Sequence, residues 1–118
     1  MKLDEFFCCV GGDYGEAKAR FQNDERIVRF LNMFPGDDSM QNLTNAMNTG
    51  DTTTAFRAVH TLKGVALNLG LGSLAHASSQ MTEALRGQDK LPESVQPLYE
   101  AVQKEYVAVC GALEQLEK

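Results

Sequence analysis

The sequence has few of the residues that mark disulfide scaffolds, nucleic-acid binders and membrane spans. Its three cysteines, adjacent Cys8 and Cys9 and the distant Cys110, form neither a disulfide framework nor the C-x₂-C spacing of a zinc site. We expect them to be buried free thiols. The net charge of −5 argues against a nucleic-acid partner, because such proteins carry a basic face. Apolar runs are much shorter than the ~20 residues of a membrane span, and nothing indicates export, so we expect no membrane partner and a cytoplasmic location.

Proline is also scarce, and this scarcity permits long helices. Only three prolines occur in the 118 residues, and none lies between Gly36 and Leu91. The valines follow helical rather than alternating spacing, so no strand is predicted. Asp13, Asn23 and either Asp51 or Thr52 are expected to cap helices.

These signals predict a single all-α domain over residues 1–118. Long helices are expected over 53–69, 74–86 and 92–117, the last opening at Leu91-Pro92, and a fourth is built from residues 24–48. The short loops between them favour an antiparallel up-and-down four-helix bundle over residues 24–118. Residues 1–22 would form extra short N-terminal helices that extend or cap this bundle.

The stretch from Ala58 to Gly64, AVHTLKG, places three unusual positions on one helix face. The core stripe of this helix consists of Ala55, Val59, Leu62, Ala66 and Leu69. His60 lies about 140° from the centre of that stripe and therefore points outward. Lys63 and Gly64 follow His60 at the i+3 and i+4 positions, where helical side chains are neighbours. Glycine in mid-helix costs about 1 kcal/mol relative to alanine, so Gly64 needs an explanation.

The chemistry available on this face is that of a phosphoryl acceptor. An exposed imidazole is substantially neutral near neutral pH and can act as a nucleophile. Lys63 could balance the charge of an arriving phosphoryl group, and Gly64 would leave room for a partner. Phe56 and Leu67 flank the face and suggest a docking patch, although both could equally be boundary core residues.

Other catalytic arrangements are absent from the sequence. Gly70-Leu71-Gly72 lacks the remaining residues of a phosphate-binding loop, so the chain has no visible means of binding ATP. No Ser/His/Asp order with a nucleophile elbow is present, which argues against a hydrolase. The second histidine, His76, has no Lys-Gly after it and is expected to be a surface residue.

The residues from His60 to Leu74, HTLKGVALNLGLGSL, resemble the histidine-containing phosphotransfer (HPt) family. The family pattern is a His followed by Leu-Lys-Gly, a small or apolar helical stretch, Leu-Gly, and a helix that opens with Leu. The resemblance implies that His60 takes a phosphoryl group from an aspartyl-phosphate and passes it to another receiver Asp. Lys63 would then steady the phosphoryl charge, and Gly64 would let the receiver approach.

The resemblance also implies the partners and the cofactors. The partners would be response-regulator receiver domains, a hybrid sensor histidine kinase, or both. The chain would be a monomeric phosphoryl carrier rather than an enzyme. It would have no cofactor or metal of its own, because Mg²⁺ is expected on the receiver. The initial Met and the complete helix order favour a free-standing protein over a domain excised from a hybrid kinase.

A position on the following helix departs from the family pattern. Family members often place a polar side chain on the next helix, where it can hydrogen-bond the imidazole. An alignment without gaps puts this position at Thr82, with Ser79 one turn earlier, so a hydroxyl would have to orient His60. Two alternatives stay open: a helical module that docks receivers without relaying phosphate, and an unrelated helical metal or redox protein.

Overall fold

The computed structural model describes residues 1–116, and these residues form seven α-helices, one 3₁₀ turn and no strand. The predicted all-α class is therefore confirmed. Among the helices of this part of the chain, none is both long enough and apolar enough to cross a bilayer. The helices are α1 (Leu3–Cys9), α2 (Tyr14–Phe21), α3 (Asp24–Met33), α4 (Ser39–Thr49), α5 (Thr52–Leu69), α6 (Gly72–Leu85) and α7 (Val95–Gln115), with the 3₁₀ turn at Phe34–Gly36.

Three predicted caps are confirmed at helix N-termini. The side chains of Asp13, Asn23 and Asp51 each accept a hydrogen bond from the backbone N–H three residues later, at 3.1, 2.9 and 3.1 Å respectively. These bonds satisfy amides that have no partner within the helix. Asp51, rather than Thr52, caps α5, and hydrogen bonding lowers the pKa of its carboxyl group.

The last helix begins later than the sequence predicts. Helix α7 starts at Val95, because residues 92–94 form a turn in which the Val95 N–H donates to the Pro92 carbonyl at 3.0 Å. Pro97, instead of Pro92, lies in the first helical turn. Proline is tolerated there because amides of the first turn have no helical acceptor to lose.

The four longest helices pack in chain order, α4 against α5, α5 against α6, and α6 against α7. All five residues of the predicted α5 stripe are buried, so the hydrophobic period placed this helix correctly. Residues from all seven helices contribute to one continuous apolar core. Helix α5 is thus held on several sides, and one face stays in contact with solvent.

The cysteines differ from the prediction. Helix α1 turns Phe6 and Phe7 into the core, where both rings are almost completely buried. At 100° per residue, the next two side chains then lie on the opposite side of the helix. Cys8 and Cys9 are consequently exposed, and Cys110 is half-buried, so the expected burial of all three thiols was wrong.

The N-terminal helices are joined to the α5–α6 connection by a close contact of two glycine-containing loops. The α1–α2 loop, with Gly11 and Gly12, lies directly against the loop from Gly70 to Gly72. The carbonyl of Val10 accepts a hydrogen bond from the Ser73 backbone N–H at 3.0 Å. The backbones approach so closely because neither loop carries a Cβ at the contact.

A second contact holds the C-terminal end of α5. The Arg20 guanidinium, on α2, donates hydrogen bonds to the carbonyls of Leu67 and Asn68, both at 2.7 Å. Carbonyls in the last turn of a helix have no intrahelical donor, and a cation there also complements the helix dipole. The N-terminal segment therefore helps to position the helix that carries His60.

Candidate functional site

The candidate site lies on the solvent face of α5. His60 and Gly64 are exposed one turn apart, and Lys63 is half-buried beside them. Leu67, one turn further, is 54% exposed, which is unusual for a large apolar side chain on a well-packed helix. The structure thus brings together four of the residues that the sequence singled out.

Gly64 has no role in the packing of the chain itself. A Cβ built at this position would meet no atom within 4 Å, and the residue has ordinary helical geometry. Neither crowding nor backbone conformation therefore requires glycine. Gly111 on α7 has equally open surroundings, so open space alone does not identify a site. Gly64 differs because it directly adjoins an exposed histidine.

The imidazole of His60 lies against an aromatic ring. The His60 and Phe56 rings are stacked with centroids 5.9 Å apart and planes only 3° from parallel. Phe56 is half-buried, and the guanidinium of Arg86, the residue that follows α6, lies 5.4 Å from the centre of its ring. The Phe56 ring thus contacts both the imidazole and a guanidinium at the end of α6, and it is not a freely exposed apolar residue.

Arg86 is itself held by Glu83, one turn earlier on α6. The guanidinium donates two hydrogen bonds to the Glu83 carboxylate, at 3.2 and 3.0 Å. These bonds lower the pKa of Glu83, and attraction to Lys63 and to the protonated form of His60 contributes less. Glu83, on α6, therefore interacts electrostatically with two residues of the candidate site, Lys63 and His60.

Sequence reasoning missed Glu83 because the ungapped alignment points to the preceding residue. Thr82 is completely buried, and its hydroxyl donates to the Ser78 carbonyl at 2.7 Å. A hydroxyl has a single proton, so Thr82 cannot also donate to an imidazole. Ser79 is half-buried, and across residues 1–116 the His60 ring has no side-chain hydrogen bond. Orientation of His60 by a hydroxyl on α6 finds no support in this geometry.

A shallow hollow lies between α5 and the N-terminal helices. It has a volume of about 530 Å³ and lies between α3 and the α5 residues Val65 and Asn68. On the α3 side it is lined by Phe30 and Met33, which are 39% and 64% exposed. Apolar side chains from α3 and α5 therefore line this hollow together.

A histidine ring nitrogen on this face can act as a nucleophile. Within the described residues, no three His, Cys, Asp or Glu side chains are arranged to hold a metal ion. The second histidine, His76, is exposed on α6 and lines a separate hollow with Gln80 and Ala101. What remains at His60 is a ring nitrogen open to solvent, a neighbouring ammonium group, and unobstructed backbone at Gly64.

Comparison with models of protein families matches residues 35–118 to the Hpt domain. The match begins in the 3₁₀ turn and includes α4 to α7. It therefore contains His60, Lys63, Gly64 and Leu67. Helices α1 to α3 precede the matched residues. Searches against curated proteins and against solved structures returned no match.

Proposed function

The chain belongs to the Hpt domain family, and from this premise we propose that it is a phosphorelay intermediate whose phosphoryl group is carried by His60. Hpt domains serve histidine phosphotransfer in two-component signalling and are carriers without a kinase domain. The observation that carries the proposal is the exposed His60 on α5, with Lys63 and open space at Gly64 beside it.

The reaction begins with attack by a neutral imidazole nitrogen of His60 on the phosphorus of a receiver aspartyl-phosphate. A P–N bond forms as the P–O bond to the aspartyl group breaks, and the carboxylate leaves with the electron pair. The other ring nitrogen keeps its proton. Onward transfer is the reverse reaction with a second receiver, whose carboxylate forms the new P–O bond. Such transfer depends mainly on in-line positioning and charge neutralisation.

In this scheme the ammonium of Lys63 lies on the same helix face and stabilises the phosphoryl oxygens. Gly64 leaves the approach to His60 open for the rim of the receiver. We assign no metal to this chain; Mg²⁺ held by the carboxylates of the receiver would neutralise phosphoryl charge during transfer.

Docking would use the apolar surface around His60. Leu67 is exposed on this face, and Met33 and Phe30 are exposed on α3 at a hollow against α5. All three suit an apolar contact with a receiver domain, free or part of a hybrid sensor kinase. We further propose that α4 to α7, which pack in chain order, form an antiparallel up-and-down bundle. Encounter with receivers requires a shared compartment, and we propose the cytoplasm.

The test is phosphorylation of the purified chain by two donors. One donor is a set of receiver domains labelled with acetyl phosphate, and the other is phosphoramidate, which can phosphorylate histidine without a protein partner. We expect label that is lost in acid, resists alkali, and leaves the chain when unlabelled receiver is added. A docking-only module would bind receivers but take label from neither donor. Acid-stable label would overturn the proposal.

Substitution of Gly64 can distinguish access of the receiver to His60 from the intrinsic reactivity of the imidazole. Gly64→Gln should slow transfer from receivers about tenfold or more, because its side chain would hold the receiver away from His60. Labelling by phosphoramidate should be almost unchanged. Gly111→Gln, at an equally open helical position on α7, is the matched control and should leave both rates as in wild type. Equal slowing with both donors would contradict the assigned role of Gly64.

A further inference from the structure

The ring stack at His60 is the contact that restrains the imidazole most directly. Phe56 and His60 are four residues apart on α5, so their side chains lie on adjacent turns of one face. Their separation of 5.9 Å and interplanar angle of 3° fall within the range of offset stacked rings. An exposed histidine without such a contact exchanges freely among staggered rotamers.

The ring on which the imidazole stacks is contacted from the C-terminal end of α6. Arg86 lies 5.4 Å from the centre of the Phe56 ring, within the distance at which a guanidinium is attracted to an aromatic face. Two hydrogen bonds to Glu83 set the orientation of that guanidinium. Glu83, Arg86, Phe56 and His60 therefore form a chain of contacts from α6 to the nucleophile.

This series of contacts takes the place of a side-chain hydrogen bond to the imidazole. The Thr82 hydroxyl is committed to Ser78, and no side chain within residues 1–116 hydrogen-bonds the imidazole. A phosphoryl acceptor nonetheless needs its nitrogen held in line with the bond that breaks, and small misplacements reduce rates strongly. The stack provides this restraint while leaving both ring nitrogens unoccupied by protein groups.

We propose that Phe56 is a positioning residue for His60, with Arg86 and Glu83 holding Phe56 in place from the C-terminal end of α6. The inference rests on the proposed function, since it concerns the orientation of the same nucleophile. It assigns Phe56 a role inside the site instead of the receiver contact expected from the sequence. Leu67, which is more exposed, remains the residue for docking.

Labelling by phosphoramidate tests this proposal without any protein partner. Phe56→Leu should reduce the labelling rate about tenfold, because the imidazole loses the surface that limits its rotamers. Phe56→Tyr keeps the aromatic face and should restore the wild-type rate. Arg86→Gln, an exposed change, should give a smaller loss in the same direction. Val107→Ala, at an exposed apolar position on α7, is the matched control and should label at the wild-type rate.

Proton NMR of the His60 ring provides a second, independent readout. Stacking on Phe56 should shift the imidazole protons upfield in the wild type and in Phe56→Tyr, and Phe56→Leu should remove that shift. Thermal unfolding checks that each variant is folded. If Phe56→Leu does not fold, Arg86→Gln tests the proposal in its place. A Phe56→Leu variant labelled at the wild-type rate would overturn this inference alone. Wild-type protein that takes no label would instead remove the proposed function.

Discussion

Replacing His60 with Gln should abolish labelling by both phosphorylated receivers and phosphoramidate. The glutamine amide nitrogen is not a nucleophile, and no other group at the site can take the place of a neutral imidazole nitrogen. The fold should survive, because His60 is exposed and Gln is a better helix former. Gel-based detection of phosphorylated protein, together with circular dichroism, measures both outcomes on the same sample.

His76→Gln is the matched control for this experiment. It makes the same chemical change at an exposed helical position on α6, in a hollow separate from the candidate site. It should label at the wild-type rate. Label that persists in His60→Gln, or that disappears only in His76→Gln, would show that the phosphoryl group is carried elsewhere.

Gly72→Ala should lower the free energy of unfolding by about 1–3 kcal/mol, the usual cost of inserting a methyl group into a filled contact. Its Cβ would lie 2.0 Å from the carbonyl oxygen of Gly11 and 2.9 Å from the carbonyl carbon. Backbone atoms cannot move aside as a flexible side chain does. The two loops would have to separate, which would strain the 3.0 Å hydrogen bond from Ser73 to Val10.

The substitution Gly111→Ala should have the opposite effect on the free energy of unfolding. Its Cβ would meet no atom within 4 Å, and the position lies within α7. The change should therefore raise stability by up to about 1 kcal/mol, the difference in helix propensity. Urea denaturation of both variants compares the two effects. If Gly72→Ala is as stable as the wild type, the two loops can separate without loss of stability.

Local patterns account for much of the fold and for part of the site. Asp13, Asn23 and Asp51 were identified as caps because a cap and its amide are only three residues apart. The 3.6-residue period placed His60 outside and the core stripe of α5 inside. Local patterns did not predict the start of α7 correctly, because Pro92 and Pro97 are both compatible with the first turn of a helix.

The sequence by itself determined that the chain is helical and that His60 faces outward with Lys63 and Gly64 beside it. Those properties depend on neighbours at most four residues away. Only the tertiary structure decided that Phe56 contacts Arg86 as well as His60, because the contact with Arg86 depends on how α6 is rotated against α5. It likewise decided that Gly72 meets Gly11, 61 positions away by the numbering, since no local pattern specifies which two loops will touch.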